Sequence, residues 1–234
     1  PGDRIRLGPV RGSTYFADAR ETEVGRPVLT PDGEQAIVFV DGGWKSGGAI
    51  FALPTDGSGK GAPTRVAKVE GKRPTEMRIH GRRVAYGDNG GIYTAPLDGS
   101  GAESPRRVAS LEGGRLDQLH WFPGADRIGY TVERDFVHSY RTIHTVLTDG
   151  SEADKPVDIV GEADAQRSIQ ALLPDGRIVI YQGTYLYAAP ATGGDLTRLT
   201  PHDVHASFKA VADGGKRLVV ELWTSAVGGP RELV

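Results

Sequence analysis

The residues best suited to chemistry in this chain are six histidines, the carboxylates and a series of arginines, since no cysteine is present to act as thiolate, disulfide or soft metal ligand. His202 and His205 flank Asp203 and could hold a metal together. A three-residue gap on a non-helical segment is a poor ligand frame, however. His144 falls where Phe51, Tyr93 and Tyr187 stand in related segments, and His120 adjoins Trp121. Both read as rings packed within a sheet. There is no Gly-x-Ser-x-Gly elbow, no His-Glu-x-x-His pair and no tight group of acids around a histidine. Gly57-Ser58-Gly59-Lys60-Gly61 resembles a phosphate loop only superficially. Pro54 stands where the first glycine belongs, and Gly61 follows the lysine where Ser or Thr is needed. These patterns predict no catalytic residue, no catalytic metal and no cofactor.

Binding chemistry is better represented. Trp44 with Lys45 lies in the segment 41–48, and Phe136 with Arg134, Asp135, His138 and Tyr140 lies in 133–140. Large aromatics in polar surroundings suit an interface, where Trp, Tyr and Arg dominate the energetics. The same rings could instead cover a sheet edge. Arg26, Arg73, Arg115 and Arg167 each precede a Gly-containing turn by a similar short step, and His205 takes that place in the last segment. Converging guanidinium groups would select an anionic group or acidic peptide, because Arg pairs bidentately with carboxylate and phosphate. Glu76, Asp117 and Asp203 lie close enough in sequence to neutralise them through local salt bridges.

The elements that must position these residues follow from a repeat. "LPTDGSGKGAPTRVA" (53–67) recurs as "APLDGSGAESPRRVA" (95–109), an offset of 42 residues. "LTPDGEQAIVFV" (29–40) resembles "LLPDGRIVIYQ" (172–182), with looser copies at 79–87, 121–132 and 211–222. Each is followed by a second apolar strand and a turn, then a segment ending in a basic–apolar pair such as Arg65-Val66, Arg107-Val108 or Arg198-Leu199. Asp-Gly suits tight hairpins, because Gly supplies positive φ and Asp bonds its own backbone. Four antiparallel strands per 40–50 residues, repeated, make the blade of a β-propeller. The predicted class is all-β, with five to six blades and six favoured. Repeats are placed at about 25–72, 73–113, 114–164, 165–204 and 205–234, and residues 1–24 supply strands to a closing blade. The whole chain, 1–234, is read as one propeller domain. In the last repeat the step from Arg217 to Gly228 is shorter than the matching step from Arg177 to Gly193.

The Pro-Asp-Gly hairpin, the Ile-Tyr second strand and the ending Arg198-Leu199-Thr200 resemble the repeats of TolB-like propellers over about residues 25–234. That resemblance implies a six-bladed fold, and a bacterial, extracytoplasmic setting. Such propellers occur alone and attached to peptidases, receptors and sensors.

Composition agrees with this class. Thirty-three glycines and 15 prolines spread along 234 residues punctuate many short strands. A net charge of −2 argues against a general nucleic-acid or anionic-membrane binder. No apolar run reaches the ~20 residues of a membrane helix. The chain starts at Pro1 without a signal peptide, and so reads as a processed or trimmed product. In a propeller the Asp-Gly turns share one end of the blades, where the repeats agree. The second-to-third loops and blade crossings share the other, where they diverge, and variable loops on a rigid scaffold carry binding. The sequence therefore predicts a non-catalytic scaffold engaging a protein or peptide partner, acidic in character, at the loop end. Two alternatives remain: the propeller part of a serine-peptidase-type enzyme, gating substrate access, and a propeller lyase or hydrolase with a channel metal.

Overall fold

The computed structural model describes residues 27–41, 47–56, 62–70, 74–88, 90–124, 126–135, 140–153, 155–160, 167–201, 204–224 and 231–233. Within them the apolar runs form short strands in five antiparallel sheets. The first blade is β1 (Val28–Leu29), β2 (Gln35–Asp41), β3 (Gly48–Pro54) and β4 (Thr64–Val69). The second is β5 (Glu76–His80), β6 (Arg83–Gly87), β7 (Gly91–Pro96) and β8 (Arg106–Ser110). The third is β9 (Arg115–Trp121), β10 (Arg127–Asp135), β11 (Tyr140–Leu147) and β12 (Val157–Val160). The fourth is β13 (Arg167–Leu172), β14 (Arg177–Gln182), β15 (Tyr185–Pro190) and β16 (Thr197–Arg198). The fifth has three strands among the described residues, β17 (Val204–Ala212), β18 (Arg217–Thr224) and β19 (Arg231–Leu233). In every sheet the strands lie side by side in chain order, the meander expected from the repeat. The closing strands assigned to 1–24 fall outside the described residues.

The chain clusters into two compact units, one running to Asp88 with Thr94–Arg106 added, the other taking Asn89–Tyr93 and everything from Arg107. In the first unit, Val38, Ala49 and Phe51 pack together under Val40 and Leu53. In the second, period-2 alternation explains how consecutive blades join. Ile178 and Ile180 of β14 pack with Ile143 and Ile159 of the third blade, while Val179 between them packs with Ala206 of the fifth. A strand covered on both faces reads as a continuous apolar run, which is why Ile178-Val179-Ile180 shows no alternation.

The hairpins close as their residues dictate. Gly33 (φ 72°) donates to the Thr30 carbonyl at 2.8 Å, and Gly176 (φ 82°) to the Leu173 carbonyl at 3.0 Å. Asp98 and Asp149 occupy equivalent turns. Each accepts the amide of the serine two residues on, at 2.9 Å from Ser100 and 2.8 Å from Ser151. Asp56 follows Thr55, whose amide donates to the Glu34 carbonyl at 3.0 Å as Leu97 and Thr148 do to Arg82 and Asp126, so Asp56 stands at the equivalent position of the first blade. Among the described residues, no helix is long and apolar enough to cross a membrane.

Candidate functional site

In the second unit, the ends of the blades that carry the second-to-third loops gather several polar and aromatic side chains. In the fourth blade β14 ends at Gln182 and β15 begins at Tyr185, directly opposite it. In the fifth, His205 at the start of β17 pairs with Trp223 near the end of β18. The Ala206 amide donates to the Thr184 carbonyl at 3.0 Å and ties the two blades together here. The rings consequently line up. His205 lies between Tyr185 (centroids 6.0 Å apart, 7° between planes) and Trp223 (5.9 Å, 22°). The Arg198 guanidinium sits 3.7 Å above the Tyr185 ring, a cation–π contact. All three rings are half-buried, so each keeps part of its surface in solvent. His205 Nδ1 and Gln182 Oε1 are shielded from solvent and have no hydrogen-bond partner among the described residues. Buried polar atoms rarely stay unsatisfied, so water or a bound group is expected to meet them.

The loop end of the third blade is charged. Arg115 opens β9 and donates to Glu133 Oε2 at 2.7 Å; its own side chain is 56% exposed, that of Glu133 only 6%. Arg134 reaches the Glu112 carbonyl at 3.5 Å and its carboxylate at 3.9 Å. Arg134 and Glu112 line a cavity of about 210 Å³ together with Tyr130, His144 and Asp158. These last three form a cross-strand row, Tyr130 opposite His144 and His144 opposite Asp158. His144 stacks on Tyr130 at 5.2 Å, as an aromatic at that position should. It also does more. Its Nδ1 lies 2.6 Å from Asp158 Oδ1 and its Nε2 2.7 Å from Thr142 Oγ1. A neutral ring satisfies both, with Nδ1–H donating to the carboxylate and Nε2 accepting from the hydroxyl. Burial pushes His144 below the ordinary histidine value, against the opposing pull of Asp158. Burial likewise holds the Tyr130 phenol well above its ordinary range. With both nitrogens engaged, His144 is a fixed part of the sheet rather than a ready acid, base or metal ligand.

Of the residues singled out in the sequence, Arg26, Trp44, Lys45, Arg73, Phe136 and His138 lie outside the described residues, as do His202 and Asp203. Tyr140 opens β11 opposite Asp135. Arg115, Arg134 and His205 stand at the loop ends as described above. Arg167 opens β13 but is only 5% exposed, and burial pushes its guanidinium below the ordinary arginine value. Arg115 pairs with Glu133, whereas Asp117 pairs with Arg141 at 3.2 Å and Glu76 with Arg78 at 2.8 Å. Sequence reasoning missed Trp223, Glu133 and the Asp158–His144 pair. One signal was present: the position beside the third-strand aromatic is Arg65 opposite Phe51 and Arg198 opposite Tyr187, but Asp158 opposite His144.

No protein-family model matches the chain, and no curated protein sequence matches it. Solved structures do match. An oligogalacturonate lyase in complex with manganese is 11% identical at a TM-score of 0.61, over 88% of this chain and 60% of that one. A puromycin-hydrolyzing peptidase of Mycobacterium tuberculosis is 17% identical at a TM-score of 0.55, over 91% of this chain and 38% of that one. The fold is a β-propeller. The putative TolB from Agrobacterium tumefaciens is a looser match, 16% identical at a TM-score of 0.46, over 91% of this chain and 80% of that one. This propeller thus spans less than two thirds of the lyase and of the peptidase, and identities this low speak for fold alone.

Proposed function

We propose that this chain is a non-catalytic, TolB-like binding propeller of the bacterial cell envelope. It forms a single domain and takes a protein or peptide partner at the end that bears the variable loops and blade crossings. The observation that carries this reading is the ladder Tyr185–His205–Trp223, half-buried, capped by Arg198 and adjoined by two buried polar atoms that await a partner. Stacked rings with a cation at one end fit the anchor pockets on which interfaces concentrate their energy. The exposed flank of Arg115 and the loosely held Arg134 favour an acidic segment beside that anchor. Trp44, Lys45, Phe136, His138, Tyr140, Arg26, Arg73 and Arg167 are proposed from the sequence to contribute to binding as well.

The test is affinity measurement with a partner recovered from envelope extract and then purified. Trp223→Ala, Trp44→Ala and Phe136→Ala should each weaken binding by about 30-fold, or ~2 kcal/mol. Ser58→Ala and Ser151→Ala, in the Asp-Gly-Ser repeats of the sequence, should leave it unchanged. Thermal melts of each variant separate lost binding from lost packing. The opposite pattern in properly folded variants would put the surface at the wrong end.

A second reading has one observation behind it. The matched propeller is 38% of the peptidase chain, so in that protein the fold accompanies further polypeptide. Here too it would gate substrate to a hydrolase domain, and a nucleophile elbow elsewhere in the same gene would favour that role. Stoichiometric manganese or zinc on the purified protein would favour the lyase-type reading instead.

A further inference from the structure

We infer that the third blade holds a separate binding site for a small zwitterion, a molecule of α-amino-acid type that carries an ammonium and a carboxylate together. The site lies within the second unit and does not rest on the ring ladder of the fourth and fifth blades.

Equivalent cross-strand rows in three blades differ in kind. The first blade sets Val38 opposite Phe51 and Phe51 opposite Arg65. The fourth sets Ile180 opposite Tyr187 and Tyr187 opposite Arg198. Both rows run from an aliphatic residue through an aromatic ring to an arginine. The third blade has Tyr130, His144 and Asp158 in those places. All three changes bring in hydrogen-bonding groups, and the last reverses the charge. Packing alone does not call for them. Tyr130 is 1% exposed, and a phenylalanine would fill that space without a hydroxyl to satisfy. The two ring nitrogens of His144 are engaged by Asp158 and Thr142, whereas the Tyr130 hydroxyl has no hydrogen-bond partner among the described residues. Burial keeps that phenol protonated, so it stands ready as a donor. Buried hydroxyls are rarely left unmet, which points to the cavity beside it as the place of a partner.

The cavity measures about 210 Å³, below the roughly 300 Å³ at which sites for drug-sized ligands begin, so its ligand has few heavy atoms. Its lining carries both signs of charge: Arg134 against Glu112 and Asp158, with His144 neutral. Arg134 meets Glu112 loosely, at 3.5 Å from the carbonyl and 3.9 Å from the carboxylate. Asp158 is bound through Oδ1, to His144 at 2.6 Å, which leaves Oδ2 for a ligand. His144, held in turn by Thr142, is the positioning residue for that carboxylate. A simple anion would satisfy Arg134 but face two carboxylates, and a simple cation would satisfy the acids but face Arg134. A molecule with both groups meets each of them. Its carboxylate accepts from Arg134 and the Tyr130 hydroxyl, and its ammonium donates to Asp158 and Glu112.

The test is calorimetric titration of the intact protein with L-alanine and, separately, with propionate and ethylamine, each of which keeps one of the two charged groups. Saturable binding of alanine, at least about ten-fold tighter than either half molecule, supports the inference. Arg134→Gln should weaken alanine binding about ten-fold or more, and Tyr130→Phe about five-fold. Asp158→Arg, which restores the residue of the first and fourth blades, should abolish it. Thermal melts check that each variant folds, and Arg134→Gln, at an exposed pair, carries the test if the Asp158 variant does not. Arg177→Gln, at the hairpin end of the fourth blade, should bind as the parent does. No saturable binding of alanine, equally tight binding of one half molecule, or binding unchanged in Arg134→Gln would overturn the site.

Discussion

The second and third blades share one plan and resolve it differently. Both place an arginine at the start of the second strand, a threonine on the third to receive it, and an Asp-Gly-Ser turn beyond. The third blade closes the arrangement with Glu152, which also accepts the Leu147 amide at 3.0 Å. The second puts Gly101 at that position, and Arg82, Arg83 and Arg106 are among the residues that line a cavity there. At the opposite ends the roles change, and it is the third blade that carries the charged loop face and the His144–Asp158 pair. Repetition in this chain therefore fixes the frame of each blade, while single substitutions decide how each turn is closed.

The largest expected effect breaks the sealed side of that comparison. The Arg127 side chain is 12% exposed and its partner Glu152 25%. Removing one partner of a largely buried ion pair strands the other charge, which typically costs ~3 kcal/mol. Glu152→Gln should lower the urea unfolding free energy by about that amount. A loss below ~1 kcal/mol would mean that the clamp is a weak surface pair, and the contrast with the second blade would lose its energetic basis.

A smaller effect separates two arginines at one loop end. Arg115 holds Glu133, whose side chain is 6% exposed, so Arg115→Ala should cost ~2 kcal/mol of stability. Arg134 faces Glu112, 70% exposed and 3.9 Å away, so Arg134→Ala should cost under ~0.5 kcal/mol. Equilibrium unfolding of both variants decides which of them can report on partner binding. If Arg115→Ala proves as stable as Arg134→Ala, the buried carboxylate has found another donor.

The blade plan was legible because Asp-Gly turns and apolar runs are local signals, and a meander pairs only neighbours in the chain. The Tyr185–His205–Trp223 ladder was less legible, since it forms across two blades and depends on hairpin register. The difference between the second-blade and third-blade turns was hidden for another reason. The echo at 42 residues aligns Gly101 with Gly59 and shows no difference, whereas only the offset to the third blade sets Gly101 against Glu152. The His144–Asp158 bond joins residues 14 apart, and nothing short of the strand register places them opposite each other.

The smallest expected effect concerns that pair and is read through pH. Burial lowers the His144 value in the folded protein from the 6.5 of an exposed histidine, while Asp158 opposes part of the shift. On acidification the unfolded chain thus takes up this proton before the folded one does. Stability from the neutral ring is complete above about pH 6.5 and is lost as pH falls from there through the lowered folded value, at no more than ~1.4 kcal/mol per pH unit for one proton. In His144→Phe the stacking on Tyr130 is kept, as Phe51 serves in the first blade, and Asp158, with its side chain 68% exposed, can be solvated. The variant should therefore lie within ~1 kcal/mol of the parent at neutral pH. The parent's stability relative to the variant should then fall as the solution is acidified from pH 7 to about pH 5. Taking the difference between the two proteins cancels the titrating groups that do not touch His144. A difference that grows in the parent's favour at low pH would mean that Asp158 outweighs burial and that the ring is protonated in the fold.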